Sequence, residues 1–374
     1  MEPIHQTIKK KRDRHSKVYC PFGLTIDPME RLLLINIEKD PDLIYLGFEP
    51  QVFNDPINGK GLLVLGWRVD GRVDLYHQPT LTLNPLKYDI AGKGLAHMVE
   101  RPFNGAYFQV NEQGVQAFFE FEDLEGRHIE VKISEQNTKK RKPFGLLAPM
   151  GDAAENPSAM PLVLVHDFYF IRRKKTEISV KINGKSHLPD NFPIPLDGSW
   201  MFFTRYSSDP FIVTLNPAFD GVLPALFLAG PGKATLGETL FELENAGSSG
   251  KIKSLSRSYK HHTIKLSFEP AFPNIAALKK NQLAEGQFVI QGHQSTGCIK
   301  GHYQVQNKSD QIQVVMIPSG GWIPNEKKLS IRFLYFVAKI FRNWPKTYSW
   351  EASINEDNGQ LYMKSFWKRI RNEK

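Results

Sequence analysis

His166 and Asp167 stand together inside the apolar run LVLVHDFYF, residues 162–170, where ionisable groups meet burial. A buried charge needs a partner and a buried titratable group has a displaced pKa, so this pair is the first candidate for acid–base chemistry. On a strand the two side chains point to opposite faces, and each requires its own partner, with Arg172, Arg205 and Lys185 as candidates. His77, in YHQP at the end of an expected strand, shares a face with Val64, Val73 and Leu75. It is either a general acid or base in an apolar space or a core histidine satisfied by a backbone carbonyl. In SWMFFTRYSSDP, residues 199–210, alternation places Trp200, Phe202, Thr204 and Tyr206 on one face and Met201, Phe203 and Arg205 on the other. The aromatic face, together with Trp67, is the expected wall of a ligand pocket, with plain core packing as the other reading. Arg205 between apolar neighbours calls for an anion, either an internal carboxylate or a substrate group.

Other polar groupings lead less far. The stretch KYDIAGKGLAHMVERPF, residues 87–103, crowds Tyr88, Asp89, Lys93, His97, Glu100 and Arg101 around glycines and reads as the mouth of a pocket or as a solvated loop. Its GKG lacks the first glycine and the following Ser or Thr of a phosphate-binding loop. His293, Cys298 and His302 invite a metal reading, but Lys300 falls on the Cys298–His302 face, and the adjacent His261 and His262 diverge if extended. No metal is expected. There is no G-x-S-x-G elbow and no protease-like cysteine context, so no nucleophile motif is found; the lack of a dinucleotide fingerprint excludes a doubly wound nicotinamide enzyme, and no cofactor is expected. Glu120, Glu122 and Asp123 gather on one strand without forming a nameable glycosidase pair.

The elements that position these residues announce themselves through turns. Asn-Gly or Asp-Gly occurs at Asn58, Asp70, Asn104, Asn183, Asp197, Asp220 and Asn358, pairs that accept the positive φ of tight hairpins. In LLVLGWRV-DG-RVDLYHQ a two-residue turn at Asp70-Gly71 sets Val69 opposite Arg72, Trp67 opposite Asp74 and Val64 opposite His77. Both faces of that hairpin are then partly apolar, which calls for a sandwich or an enclosed lumen. Alternation marks further strands over 115–122, 128–133, 178–182, 264–268 and 312–316, and 160–170 reads as a buried central strand. Helix is scarce: Asn274 is placed to cap a short one through IAALKKNQLAEG, residues 331–341 read as strand or helix, and the C-terminal SFWKRIRNEK reads as a short amphipathic piece. The expected class is all-β and antiparallel, as two similar barrel or sandwich halves with little helix. The expected divisions are a basic tail over 1–20, a first β-domain over 21–155 and a second over 156–374, with GDAAENPSAMP as linker.

The 374 residues carry a formal charge of +9, 41% hydrophobic residues and only two cysteines, which fits a globular chain without a disulfide framework. Much of the excess charge lies at the ends, and the clusters 139–142 and 172–175 read as loops, so nucleic acid is not the expected partner. The N-terminal stretch has no apolar segment behind its charges and no run suits a transmembrane helix, so the cytoplasm is the expected location. Oligomeric state is not legible.

The length, hairpin density, suggested halves and aromatic strands over roughly 40–360 resemble the tandem lipocalin-like proteins, among them the carotenoid hydratases and the tocopherol-cyclase-like proteins. The resemblance is one of layout and transfers no residue roles. It implies binding of an apolar or amphipathic small molecule, with cofactor-independent hydration, isomerisation or cyclisation as the accompanying chemistry; whether this chain is an enzyme stays open. His166, Asp167, His77 and Arg205 are then the polar groups, and Trp67, Trp200, Phe202 and Tyr206 the lining. Two alternatives remain: a carbohydrate-binding or carbohydrate-processing sandwich with Trp322 or Trp344 as platforms, and a non-enzymatic interaction protein with basic tails.

Overall fold

A computed structural model describes residues 17–150, 154–244, 250–308 and 311–370. They form an all-β molecule of three sheets, antiparallel but for one parallel pairing of Val73–His77 with Leu95–Glu100. None of the sheets closes into a barrel.

The first sheet runs Phe144–Ala148, Met160–Arg172, Met201–Leu215, Arg31–Asn36, Tyr45–Asp55, Gly59–Arg68, Val73–His77 and Leu95–Glu100, with Leu24–Asp27 also paired to Met201–Leu215. Met160–Arg172 is paired on both sides and almost wholly buried, as its continuous apolar composition requires. A five-stranded sheet, Lys185–His187, Thr176–Ile182, His128–Glu135, Val115–Glu122 and Gly105–Val110, covers one side of the first. Its inward residues Phe119 and Phe121 meet Phe48 and Tyr76 at ring-centroid separations of 6.3 and 4.7 Å. Strict alternation in Val115–Glu122 therefore translates into one buried and one wetter face.

The third sheet is an up-and-down meander of ten strands from Phe227–Gly230 to Gln360–Arg369, with Phe219–Val222 added beyond the last. Its two edge strands are consecutive in sequence, with residues 223–226 between them. A link that short spans at most about 19 Å, so the sheet has to curl until its edges approach. The interior of the curl is filled: Phe22 enters from the N-terminal side and contacts Phe268, Phe272 and Trp350 at 5.0, 4.8 and 5.2 Å.

Several sequence expectations change. Met160–Arg172 and Met201–Leu215 both belong to the first sheet, so the passage from the first sheet to the third falls between Leu215 and Phe219. The Asp70-Gly71 hairpin has a three-residue loop, with Arg68 accepting from Gly71 and donating to Arg72, and Gly71 at φ 87°. The register becomes Trp67 with Val73, Leu65 with Leu75 and Leu63 with His77. A one-residue slip exchanges the faces, which puts His77 on the Trp67 side. Asn183-Gly184 and Asn358-Gly359 are two-residue turns as expected, whereas Asp220-Gly221 lies within a strand. Asn274 does cap, but only a single turn, Ile275–Ala277, before strand Leu283–Gln291 begins. Residues 331–341 lie in helices Leu329–Val337 and Lys339–Asn343, broken at Ala338, and residues 365–369 of the C-terminal piece belong to strand Gln360–Arg369, with 371–374 outside the described residues. The N-terminal basic cluster up to residue 16 lies outside the described residues.

Candidate functional site

The face of the first sheet turned away from the five-stranded sheet lines a cavity of about 1100 Å³. Pairing explains its composition. Leu34 lies opposite Arg205, Gln51 opposite Leu32, and Phe170 opposite Arg205, so these side chains share one face of a sheet assembled from segments far apart in sequence. Loop residues Leu86, Tyr88 and Ala91 and helix residues Leu334, Tyr335 and Ala338 complete the enclosure. The lining is mostly aliphatic and aromatic, which is the character of a small-molecule site.

Polar groups converge on one part of it. The buried Glu49 carboxylate accepts from Gln51 Nε2 at 2.8 Å and from Trp67 Nε1 at 3.1 Å. Burial pushes the Glu49 pKa upward, against the lowering pull of these two donors and of the Arg205 charge. Arg205 donates through Nη1 to Asn36 Oδ1 at 2.6 Å and to the Phe203 carbonyl at 3.0 Å, and its guanidinium lies 4.5 Å from the Phe203 ring centre. Burial lowers its pKa to about 10 even with Glu49 and Glu38 opposing the shift. Arg205 lines the cavity. A carboxyl group held toward its neutral form beside a cation can give a proton to an apolar guest and take one back.

Of the residues expected from sequence, Trp67 and Arg205 line this cavity and the other six do not. Alternation in Met201–Leu215 is as expected, but the face toward the cavity is that of Phe203 and Arg205. On the opposite face Tyr206 is buried and its hydroxyl accepts from Arg141. Trp200 and Phe202 border a separate depression with Lys139, Arg173 and Lys174. His77 Nδ1 pairs with the Gln78 carbonyl at 3.0 Å, so it is a core histidine satisfied by backbone. Asp167 is exposed, accepts from Ser208 Oγ and has φ 46°, so it occupies a bulge and not a buried strand position. Glu49 went unread in the sequence. Its signal is Glu49 and Gln51 two apart among the buried apolar residues of Tyr45–Asp55, which places two polar groups on one buried face.

His166 belongs to a second cluster, where the first sheet meets the third. Its ring stacks on His262 at 4.2 Å and lies edge-on to His293 at 5.5 Å. His262 Nε2 and His261 Nε2 reach the two oxygens of Asp209 at 2.9 and 3.1 Å. The adjacent histidines do not diverge because His261 lies with Lys260, at φ 53°, in the two-residue turn between Tyr259 and His262, and only His262 is extended. Burial, then the neighbouring His262, lowers the His166 pKa to about 4. The donor atoms of Asp209, His261 and His262 lie within 4.8 Å of one another, so these three could hold a divalent transition metal. Of the other metal candidates, His293 lies beside His166 with its Nδ1 bonded to Ser295, and His302 Nδ1 bonds Ser319.

Trp322 and Trp344, the expected sugar platforms, are buried, and their indole N–H groups bond the carbonyls of Thr296 and Met150. Among the described residues no helix is long and apolar enough to cross a membrane. No protein-family model, curated protein or solved structure matches the chain.

Proposed function

We propose that the chain binds a hydrophobic small molecule in the 1100 Å³ cavity and converts it by cofactor-independent acid–base chemistry, with Glu49 as proton donor. The observation that carries this reading is a titratable carboxyl group, buried and held toward its neutral form, in the lining of a largely apolar cavity of ligand size. Proton transfer from Glu49 to a substrate double bond forms a C–H bond and leaves a cation on the adjacent carbon. Return of a proton from a neighbouring carbon to the carboxylate yields an isomer; addition of water with return of its proton yields a hydrate; attack by an internal double bond or hydroxyl followed by proton loss yields a ring. Each route regenerates the Glu49 acid. Arg205 stabilises the carboxylate while its proton is away, and Trp67 and Gln51 fix its orientation.

The test compares wild type with Glu49→Gln after incubation with a crude apolar extract. The Gln side chain preserves shape and loses the acid. A compound retained unchanged by Glu49→Gln and found as an isomer, ring or hydrate in wild type supports the reading. The same product from both proteins removes Glu49 as the acid.

A further inference from the structure

The helical segment that closes the cavity is apolar on two sides. Ile331 and Tyr335 are buried, and Leu334, Tyr335 and Ala338 belong to the cavity lining. On the opposite side Leu329, Phe333, Phe336 and Val337 are 79%, 58%, 71% and 55% exposed. Their spacing of i, i+4, i+7 and i+8 makes one stripe along helix Leu329–Val337. A surface helix ordinarily turns a polar face outward, and one that is apolar all round has an apolar environment on both sides. Here one environment is the cavity wall and the other is outside the molecule.

Charge identifies what lies outside. Residues 324–346 hold six basic side chains and a single acid, Glu326. Lys327, Arg332, Lys339, Arg342 and Lys346 are exposed around the stripe, and the Arg342 guanidinium lies 6.0 Å from the Phe336 ring centre. An apolar stripe bordered by cations matches the acyl boundary and the anionic headgroups of a bilayer. A second copy would bring like charges face to face, which disfavours self-association through this surface.

We infer that helices Leu329–Val337 and Lys339–Asn343 dock this protein on an anionic lipid bilayer, with the cavity behind them open to an apolar molecule drawn from that bilayer. The docking surface goes beyond the cavity chemistry and does not depend on Glu49.

Flotation of the full chain with vesicles of phosphatidylcholine, with and without phosphatidylglycerol, tests this. Wild type is expected to float with the anionic vesicles, less so at high salt and less so with the neutral ones. Phe333→Ser with Phe336→Ser removes two exposed side chains and is expected to weaken partitioning by at least about 100-fold with an unchanged melting curve. Arg332→Glu with Arg342→Glu is expected to abolish the preference for anionic vesicles. No flotation of wild type, undiminished flotation of the Phe333/Phe336 variant, an anionic preference that survives charge reversal, or a solution dimer dissociated by the same serines would each overturn the inference. Glu49→Gln is expected to float like wild type. Flotation by a protein whose cavity extracts empty sustains the docking surface and removes the cavity reading instead.

Discussion

Glu49 and His166 are both buried titratable groups, and their surroundings give them different work. Glu49 has two side-chain hydrogen-bond donors, a nearby cation and a face on the cavity, the surroundings that the proposed proton transfer calls for. A general acid typically contributes 10²- to 10⁴-fold, so Glu49→Gln is expected to lower turnover by at least about 100-fold while ligand retention persists, as read by extraction of both proteins. His166 is 7% exposed, and its Nε2 has no partner among the described residues. Its native pKa of about 4 lies below the ordinary 6.5. Between those values the unfolded chain takes up a proton that the native protein does not, so stability is full above about pH 6.5 and is lost as pH falls toward about 4. Urea denaturation at pH 7 and near pH 4 is expected to show a loss on the order of 3 kcal/mol in wild type that His166→Phe largely removes. An equal loss in both proteins would assign the acid sensitivity elsewhere.

Elements decide which of these residues meet. The bulge at Asp167, φ 46°, lets His166 face the third sheet while Phe168 and Phe170 line the cavity. A β-branched residue is strained at positive φ, so Asp167→Val is expected to cost about 1–3 kcal/mol and Asp167→Gly to be tolerated, with denaturation midpoints as the check. Gly47 marks another constraint: a Cβ there would stand 2.3 Å from the Ile35 carbonyl oxygen on the neighbouring strand. Gly47→Ala is expected to destabilise by about 1–3 kcal/mol through that clash. The alternating strands such as Val115–Glu122 and the hairpins at Asn183-Gly184 and Asn358-Gly359 were legible, because period-two alternation and Asn-Gly pairs are local properties of the chain. The alternation of Met201–Leu215 was equally plain, yet the cavity lay on its Arg205 face and not its Trp200 face. Nothing local says which side of a strand its sheet will leave open. The Asp70-Gly71 register slipped by one residue because Arg68, not Val69, closes the loop. Asp209 could not be joined to His261 and His262 from the sequence, since 52 positions separate Asp209 from His261 and the pairing crosses between two sheets.

At the scale of the molecule, the two larger sheets are fastened together at their junction. Asn216 donates through Nδ2 to Met316 Sδ at 3.6 Å, and Trp367 Nε1 reaches the carbonyls of Leu215 and Asn216. Phe22, from the N-terminal side, fills the curl of the third sheet. Phe22→Ala is therefore expected to cost about 3–5 kcal/mol and to shift one shared thermal transition, measured by calorimetry, instead of splitting off the first sheet alone. Occupancy of the cavity tests the proposed function most directly. Native mass spectrometry with solvent extraction would be applied to wild type and to Leu34→Trp, which fills the cavity beside Arg205. An apolar compound carried by wild type and missing from a folded Leu34→Trp protein is the predicted result. An empty wild type after exposure to apolar extracts, or the same compound retained by both proteins, would contradict it.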